Sequence, residues 1–286
     1  MRILVTGVKG QLGYDCVKAL KKRDYIDILG IDKEELDITN EEATSKFVHS
    51  FKPDVIIHCA GWTAVDLAED NPELVKKVNV LGTKYLAEAA EAIGAKIVYI
   101  STDYVFSGDE NGFHEVTDET NPLSVYGLSK LEGEFEVKKC SRYFIIRTSW
   151  VFGFNGNNFV KTMLKLGQTN NEVSIVSDQI GSPTYTYDLA SLICDMIVTE
   201  KYGVYHATNE GTCSWFEFAK DIFEQVRFNT VVRPISTADY LKIKPSQAPR
   251  PLNSRLSKKS LDDAGFNRLP EWKDALHRYL KEINAI

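Results

Sequence analysis

An α/β fold, a doubly wound parallel sheet with a smaller C-terminal lobe, is predicted by three features of the sequence. Short apolar runs that end abruptly in polar residues alternate with helical stretches through the first half of the chain, the rhythm of strands and crossover helices in a parallel sheet. The first run breaks into Gly7-Val-Lys-Gly10-Gln-Leu-Gly13, a turn suited to opening a helix beneath a phosphate. Beyond Trp150 the rhythm loosens into short segments and a proline-rich loop, as expected of a lobe laid over the C-terminal edge of the sheet.

Arg2-Ile-Leu-Val-Thr-Gly7 is a continuous apolar run, read as a strand buried on both faces. A helix follows to about Lys22, with Leu12, Cys16, Val17 and Leu20 at helical spacing. The second strand is Ile26 to Ile31, ending in Asp32, and Leu36-Asp-Ile-Thr-Asn40 leads into a polar helix over about 41–50 with Thr39 or Asn40 as its cap. Val55 to His58 is the third strand and ends in Cys59-Ala-Gly-Trp-Thr63. A long helix over about 72–93, a strand over 96–100, a helix opened by Pro122 and a strand over 143–147 complete the first domain. Further on, 159–166 and 188–199 read as helices, 173–176 and 203–207 as strands, and 214–226 and 272–283 as helices flanking the loop Lys244 to Asn253. The domains expected are 1–150 for the sheet, with a returning segment at about 183–210, and 151–182 with 211–286 for the lobe.

With 286 residues, 43% of them apolar, the chain can bury a sizeable core. Its net charge of −6, with acids and bases mixed throughout, offers no basic stripe for nucleic acid, so a bound phosphate must be met by local donors. Five scattered cysteines without C-x-x-C or Cys/His spacing read as reduced packing residues, and the histidines lack ligand spacing, so no metal is expected. The first apolar run is too short for a signal peptide and no segment approaches eighteen apolar residues, so a cytoplasmic location away from membranes is expected.

The glycine string and Asp32 together read as a dinucleotide site of the Rossmann type. Gly7 permits the tight turn, Gly10 brings the backbone to a pyrophosphate, and Gly13 lets helix and strand pack closely. Asp32 ends the second strand where ribose hydroxyls are accepted, which favours NADH, whereas Lys9 and Lys33 suit the 2′-phosphate of NADPH. Tyr126 and Lys130 are four residues apart on one helix, one turn from each other. A phenol active near neutrality needs roughly 4 kcal/mol of phenolate stabilisation, and a neighbouring ammonium has the right sign. Alone, such a pair is an ordinary helix face. It gains meaning beside a cofactor site and Thr102, whose hydroxyl at the end of a central strand can bind a substrate carbonyl. The small residues of Cys59-Ala-Gly-Trp-Thr63 leave room for a nicotinamide ribose, Asn79 either orders the site or is solvated, and Asp66, Glu69 and Asp70 form a solvated helix face. Arg250, in the proline-stiffened loop, is read either as a donor to a substrate pyrophosphate or as a brace for the loop.

The glycine fingerprint, Tyr126-Gly-Leu-Ser-Lys130 and the strand-end Thr102 resemble the extended short-chain dehydrogenase/reductase superfamily. Within it, Leu36-Asp-Ile-Thr-Asn40, Thr63-Ala-Val-Asp66, Ser101-Thr-Asp-Tyr-Val-Phe106, Arg147-Thr-Ser-Trp150, Asn158-Phe-Val-Lys-Thr-Met163, Asp178-Gln-Ile-Gly-Ser-Pro-Thr184 and Arg250-Pro-Leu-Asn-Ser254 resemble the dTDP-4-dehydrorhamnose reductase family, in order along nearly the whole chain. The resemblance implies reduction of a sugar-nucleotide 4-keto group by NADPH or NADH. It implies that Gly10, Gln11 and Leu12 cradle the pyrophosphate, Asp32 the ribose, and Asp37 with Ile38 the adenine, while Gly61, Trp62 and Thr63 border the cofactor. Tyr126 is then the proton donor, Lys130 lowers its pKa and holds the nicotinamide ribose, and Thr102, Asp103 and Trp150 contact the sugar. Gly61-Trp62 and Ser107 depart from the family's commoner residues. Some members are dimers bridged by magnesium on acidic residues; Asp15 is the one matching acid, so a homodimer stays open and no metal is expected.

Other readings are an epimerase or another sugar-nucleotide reductase, and a non-catalytic cofactor-binding subunit on the same fold. A dehydratase lacks its base, because Asp103 is followed by Tyr104 instead of Glu.

Overall fold

The computed structural model describes residues 1–23 and 27–286. β1 (Arg2–Thr6) turns at Gly7 into α1 (Gln11–Leu20), and the chain continues through β2 (Asp27–Ile31), α2 (Glu41–Phe51) and β3 (Val55–His58). Ile26, expected to begin β2, lies outside the described residues. Next come α3 (Val65–Asp70), α4 (Pro72–Lys76), a π-helical segment (Lys77–Gly82), α5 (Thr83–Ala92), β4 (Lys96–Thr102), a 3₁₀ turn (Asp103–Val105), α6 (Val125–Val137) and β5 (Tyr143–Thr148). The second half holds β6 (Val151–Phe152), α7 (Phe159–Thr169), β7 (Glu172–Val176), β8 (Ile180–Gly181), β9 (Thr184–Tyr185), α8 (Thr186–Met196) and β10 (Gly203–His206). It closes with β11 (Cys213–Ser214), α9 (Trp215–Gln225), β12 (Val231–Ile235), α10 (Thr237–Ile243), α11 (Lys259–Ala264) and α12 (Trp272–Glu282).

Six strands form one parallel sheet in the order β10-β5-β4-β3-β1-β2. The chain winds outward from β1 to β2, then crosses back so that β3 lies on the other side of β1. The C-terminal ends of β1 and β3 therefore flank the crevice where the winding reverses, the place such sheets bind ligands. Successive strand residues point to opposite faces, which divides the core in two. Ile3, Val5, Val55, Ile57, Val98 and Ile146 pack with α1 and α8 on one face. Leu4, Ile56, Ile97, Tyr99 and Ile145 pack under α2 and α5 on the other. A third core, around Phe152, Phe218, Trp272, Leu276 and Tyr279, belongs to the lobe. α8 and β10 return to the sheet: α8 lies against α1 and β10 pairs with β5.

Several expected boundaries move. The helix expected over 72–93 is interrupted by the π-helical segment, inside which Asn79 turns its side chain away to bond the backbone of Trp62. Such an interruption re-aims a side chain at a cost in regular helix bonding, and is frequent at functional sites. α6 begins at Val125, three residues after Pro122, because Ser124 caps it by accepting from the Gly127 N–H at 3.1 Å. α8 begins at Thr186 and ends at Met196 instead of spanning 188–199. β12, α10 and α11 were not expected: β12 is a short strand with a proline in it, paired among the described residues with β7 alone, and α10 and α11 are 7 and 6 residues long, too brief for periodicity to show.

Candidate active site

The chain end of β1 opens into the glycine turn. Gly7 has φ of +72°, and a Cβ there would approach the backbone N of Ala60 to 2.6 Å; at Gly13 a Cβ would run into the Gly7 carbonyl. Helix α1 thus starts as close to the strand ends as backbone allows. Its N-terminus has no side-chain cap and no acid in its first turn, whereas α2, α6, α7, α9 and α10 are each capped by Asn or Ser. Other helices also lack a side-chain cap, but at α1 the uncapped first residues Gln11, Leu12 and Gly13 line the crevice, as an anion requires.

Asp32, at the end of β2, braces the same loop. One of its oxygens accepts from the Lys9 N–H and the other from the Lys33 N–H, both at 2.9 Å. The Lys9 ammonium pairs with Glu34 at 2.6 Å on the surface. Asp37 accepts from the backbone and the hydroxyl of Thr39, which hold its carboxyl below the usual range.

Across the crevice, β4 ends in Thr102, whose hydroxyl donates to Asp103 at 3.0 Å and accepts from the Tyr104 N–H at 3.2 Å. Burial pushes the Asp103 carboxyl up to about 6. Tyr104 meets Tyr126 edge to face, ring centroids 5.6 Å apart. Although part of Tyr126 opens onto the cavity, enclosure by protein pushes its phenol up to about 12, with the hydrogen bond to Thr102 pulling the other way and Asp103 adding to the rise. The expectation that Lys130 draws this phenol down is therefore not met in the protein alone. Lys130 is buried, its ammonium 4.1 Å from the centre of the Tyr99 ring. Desolvation pushes it down to about 7, with Glu134 and Cys59 pulling it back up.

One cavity of about 760 Å³ joins these parts. Of the sequence-derived set, the glycine turn with Gln11 and Leu12, then Asp32, Asp37, Ile38, Gly61 and Thr63, and also Thr102, Asp103, Tyr126, Lys130 and Trp150, all line it. Two expected residues are not in its wall. Trp62 donates its indole N–H to the Ala64 carbonyl at 3.0 Å, and its backbone is held on both sides by Asn79. Arg250 gives one guanidinium nitrogen to Asp66 at 2.8 Å and to the Ala248 carbonyl at 3.0 Å. Asp66, Glu69 and Asp70 are exposed, as expected of a solvated face, but two of them also make contacts: Asp66 holds Arg250, and Glu69 accepts the Val125 N–H at 2.9 Å, where α6 begins. Asn79 is buried and also bonds Ser129 at 2.9 Å, so it orders the loop at Trp62 directly. Asp15 lies buried beneath Thr186, whose hydroxyl donates to it.

Residues that sequence reasoning missed fall into two groups. Thr148 and Ser149 line the cavity beside Trp150; they lie within the string quoted above, and strand pairing sets Thr148 opposite Thr102. The Thr148 hydroxyl is buried without a hydrogen-bond partner among the described residues, and such a group can pair with a polar ligand. Trp215 stacks on Trp150 at 3.7 Å, and a Cβ at Gly181 would press on the same indole at 2.7 Å. Between them they fix Trp150, whose φ of +49° is a strained backbone conformation for a large residue.

The family model described as RmlD substrate binding domain matches residues 1–285. The chain is 43% identical to the dTDP-4-dehydrorhamnose reductase of Aggregatibacter actinomycetemcomitans over 99% of this chain and 98% of that protein. Among solved structures, it superposes with a TM-score of 0.96 on a dTDP-4-dehydrorhamnose reductase from Clostridium acetobutylicum, 43% identical, covering 99% of this chain and 100% of the other. The corresponding Bacillus anthracis enzyme, solved in complex with NADP, gives a TM-score of 0.94 at 44% identity, covering 98% and 99%.

Proposed function

Because this chain belongs to the RmlD substrate binding domain family, among the dTDP-4-dehydrorhamnose reductases, we propose that it reduces the 4-keto group of dTDP-4-dehydro-6-deoxy-L-mannose to give dTDP-L-rhamnose, using NADPH or NADH. The observation that carries the reading is that a single cavity is walled at once by the glycine turn and by Thr102, Tyr126 and Lys130. The residues fit a dinucleotide: the uncapped start of α1 offers N–H groups to a pyrophosphate, and Gly13, where any Cβ would run into the Gly7 carbonyl, lets that start pack directly on the turn. When bound, the reduced nicotinamide supplies the hydride.

The protein's own residues do the rest. Gly10, Gln11 and Leu12 hold the pyrophosphate end, Asp32 the adenosine ribose, and Asp37 with Ile38 the adenine, while Gly61 and Thr63 border the nicotinamide side. Trp62 acts there through its backbone, pinned by Asn79. Thr102 turns its hydroxyl from Asp103 to the substrate carbonyl, and Tyr126, kept protonated by its high pKa, gives that oxygen a proton. The phenolate left behind is costly in so enclosed a place, and the Lys130 ammonium is the countercharge within the same wall. Trp150, locked by Trp215, gives the sugar a flat apolar face.

Mixing the protein with NADPH and the 4-keto sugar nucleotide and following the nicotinamide absorbance tests this reading directly. Oxidation of the cofactor with formation of dTDP-L-rhamnose is expected; cofactor binding without turnover would instead mean a non-catalytic cofactor-binding subunit.

Asp32 suits the ribose of NADH, and Lys9 and Lys33 suit the extra phosphate of NADPH, although Lys9 must leave Glu34 to reach it. That pair is exposed and worth little, so the two cofactors are expected to differ by no more than about tenfold in kcat/KM, or roughly 1.4 kcal/mol. A hundredfold preference in side-by-side kinetics would contradict this.

Arg250 is not in the cavity wall, but its charge acts on the Tyr104 phenol, which is. The bonds to Asp66 and Ala248 use one nitrogen of its guanidinium and leave the other edge able to meet a diphosphate. Arg250→Ala should therefore raise KM for the sugar nucleotide severalfold with little change in KM for NADPH. An unchanged KM would reduce Arg250 to a brace between the loop and α3.

A further inference from the structure

Tyr126, Lys130 and Glu134 are spaced four and four along α6, so they share one face of the helix, which is turned toward the sheet. Tyr126 and Lys130 reach the cavity. Glu134 does not; it is completely buried one turn further on. Its two oxygens accept from Nε and Nη2 of Arg147, each at 2.8 Å, and one also accepts from the Ser101 hydroxyl at 2.6 Å. Ser101 and Arg147 are direct partners across β4 and β5, one residue before Thr102 and Thr148, which are themselves partners. A single carboxylate thus ties the helix to Ser101, which is itself in the cavity wall beside Thr102, and to Arg147, the residue before the cavity-lining Thr148.

We infer that Glu134 is a positioning residue of the reaction: its grip on Ser101 and Arg147 sets where Tyr126 and Lys130 stand relative to Thr102. The inference rests on the catalytic reading of those three residues. Buried ion pairs are weak sources of stability, since an apolar pair of similar size often serves the fold as well, and a bidentate carboxylate–guanidinium pair fixes geometry more sharply than apolar packing does. Glu134 also influences Lys130 by charge. The groups facing Lys130 are Glu134 on its own helix, Cys59 and His58 at the end of β3, and Tyr99 on β4. Those facing Glu134 are Arg147 on β5, Ser101 and Tyr99 on β4, and Lys138 on α6 at 3.6 Å. Of these neighbours Glu134 is the acid that favours the Lys130 ammonium.

The test uses Glu134→Gln, close to isosteric, and the double variant Glu134→Leu/Arg147→Met, which replaces the ion pair by apolar packing. Both are assayed with NADPH and the 4-keto sugar nucleotide, together with thermal melting and NADPH binding. Glu134→Gln is expected to lower kcat by 10-fold to 100-fold with NADPH affinity changed less than threefold, and to move the alkaline fall of kcat/KM to lower pH. The double variant should melt near the wild type yet remain as impaired in kcat. In a Tyr126→Phe background the loss from Glu134→Gln should shrink to less than threefold, because a proton donor that is absent cannot be misplaced. If either variant folds and keeps wild-type kcat and pH profile, or if the losses from Glu134→Gln and Tyr126→Phe simply multiply, Glu134 is only a structural residue. Should Glu134→Gln not fold, Arg147→Lys, which keeps the charge outside the cavity wall but loses the bidentate grip, must by itself lower kcat while NADPH affinity changes less than threefold for the inference to stand. Failure of the catalytic reading is seen separately, as full activity in Tyr126→Phe alone.

Discussion

Tyr126→Phe is expected to lower kcat by about 10²-fold to 10⁴-fold while leaving the dissociation constant for NADPH almost unchanged. Removing the hydroxyl takes away the proton donor but keeps the ring that meets Tyr104 edge to face, so the cavity keeps its shape. General acid catalysis is worth this range when the donor is lost and water must replace it. The phenol also interacts with Thr102, so the variant frees Thr102 to stay with Asp103, and the carbonyl loses part of its second partner as well. Single-turnover rates with bound NADPH, measured beside equilibrium binding, check the result. Retention of most of the activity would remove Tyr126 from the mechanism, whatever the variant did to binding.

Lys130→Met should lower kcat by on the order of 10²-fold and, unlike the first substitution, weaken NADPH binding too. Two roles are assigned to one ammonium: countercharge to the phenolate that forms as Tyr126 gives up its proton, and contact with the nicotinamide ribose. Methionine keeps the length and the packing against Tyr99 and discards the charge. The pH dependence gives the clearer signature. Burial holds the Lys130 pKa down to about 7, so its charge is present below that pH and lost as pH rises through it. For the free wild-type enzyme kcat/KM should accordingly fall on the alkaline side of pH 7. In Lys130→Met that fall should vanish, leaving low activity that extends to higher pH than in the wild type, since the Tyr126 phenol stays protonated throughout. A variant with unaltered cofactor affinity and an unaltered profile would make the pair an ordinary helix face.

Local signals made much of this legible in the sequence. Val55–His58 is found where its apolar run was read, because a strand buried on both faces needs a run that starts and stops sharply. Asn40 caps α2 by accepting from Ala43, as its position before a polar helix suggested. The glycine turn was legible for a related reason: the demand for absent side chains is written at single positions, and the Gly7 dihedral and the Gly13 contact are those demands. Helical spacing likewise set Tyr126 and Lys130 on one face before any tertiary information.

Charge environment and long-range pairing were decided only by the tertiary structure. Glu134 lies at the same helical spacing from Lys130 as Lys130 from Tyr126, but nothing local says that Arg147 and Ser101 wait for it on two different strands. The same holds for Asp66, exposed as read, whose partner Arg250 lies across 184 residues of sequence. The direction of the Tyr126 shift was missed because a neighbouring cation can be inferred from spacing, whereas the desolvation that outweighs it depends on Tyr104, Thr102 and Asp103 closing round the ring. The π-helical segment was missed because the contact made inside it, Asn79 on the backbone of Trp62, joins residues 17 apart that no local pattern links. Sequence alone determined which groups the protein owns and which share a helix face or a strand end, since those follow from backbone period and steric demand. The tertiary fold decided which of them lose water and which meet across elements, because burial and pairing belong to the whole arrangement and to no single stretch of chain.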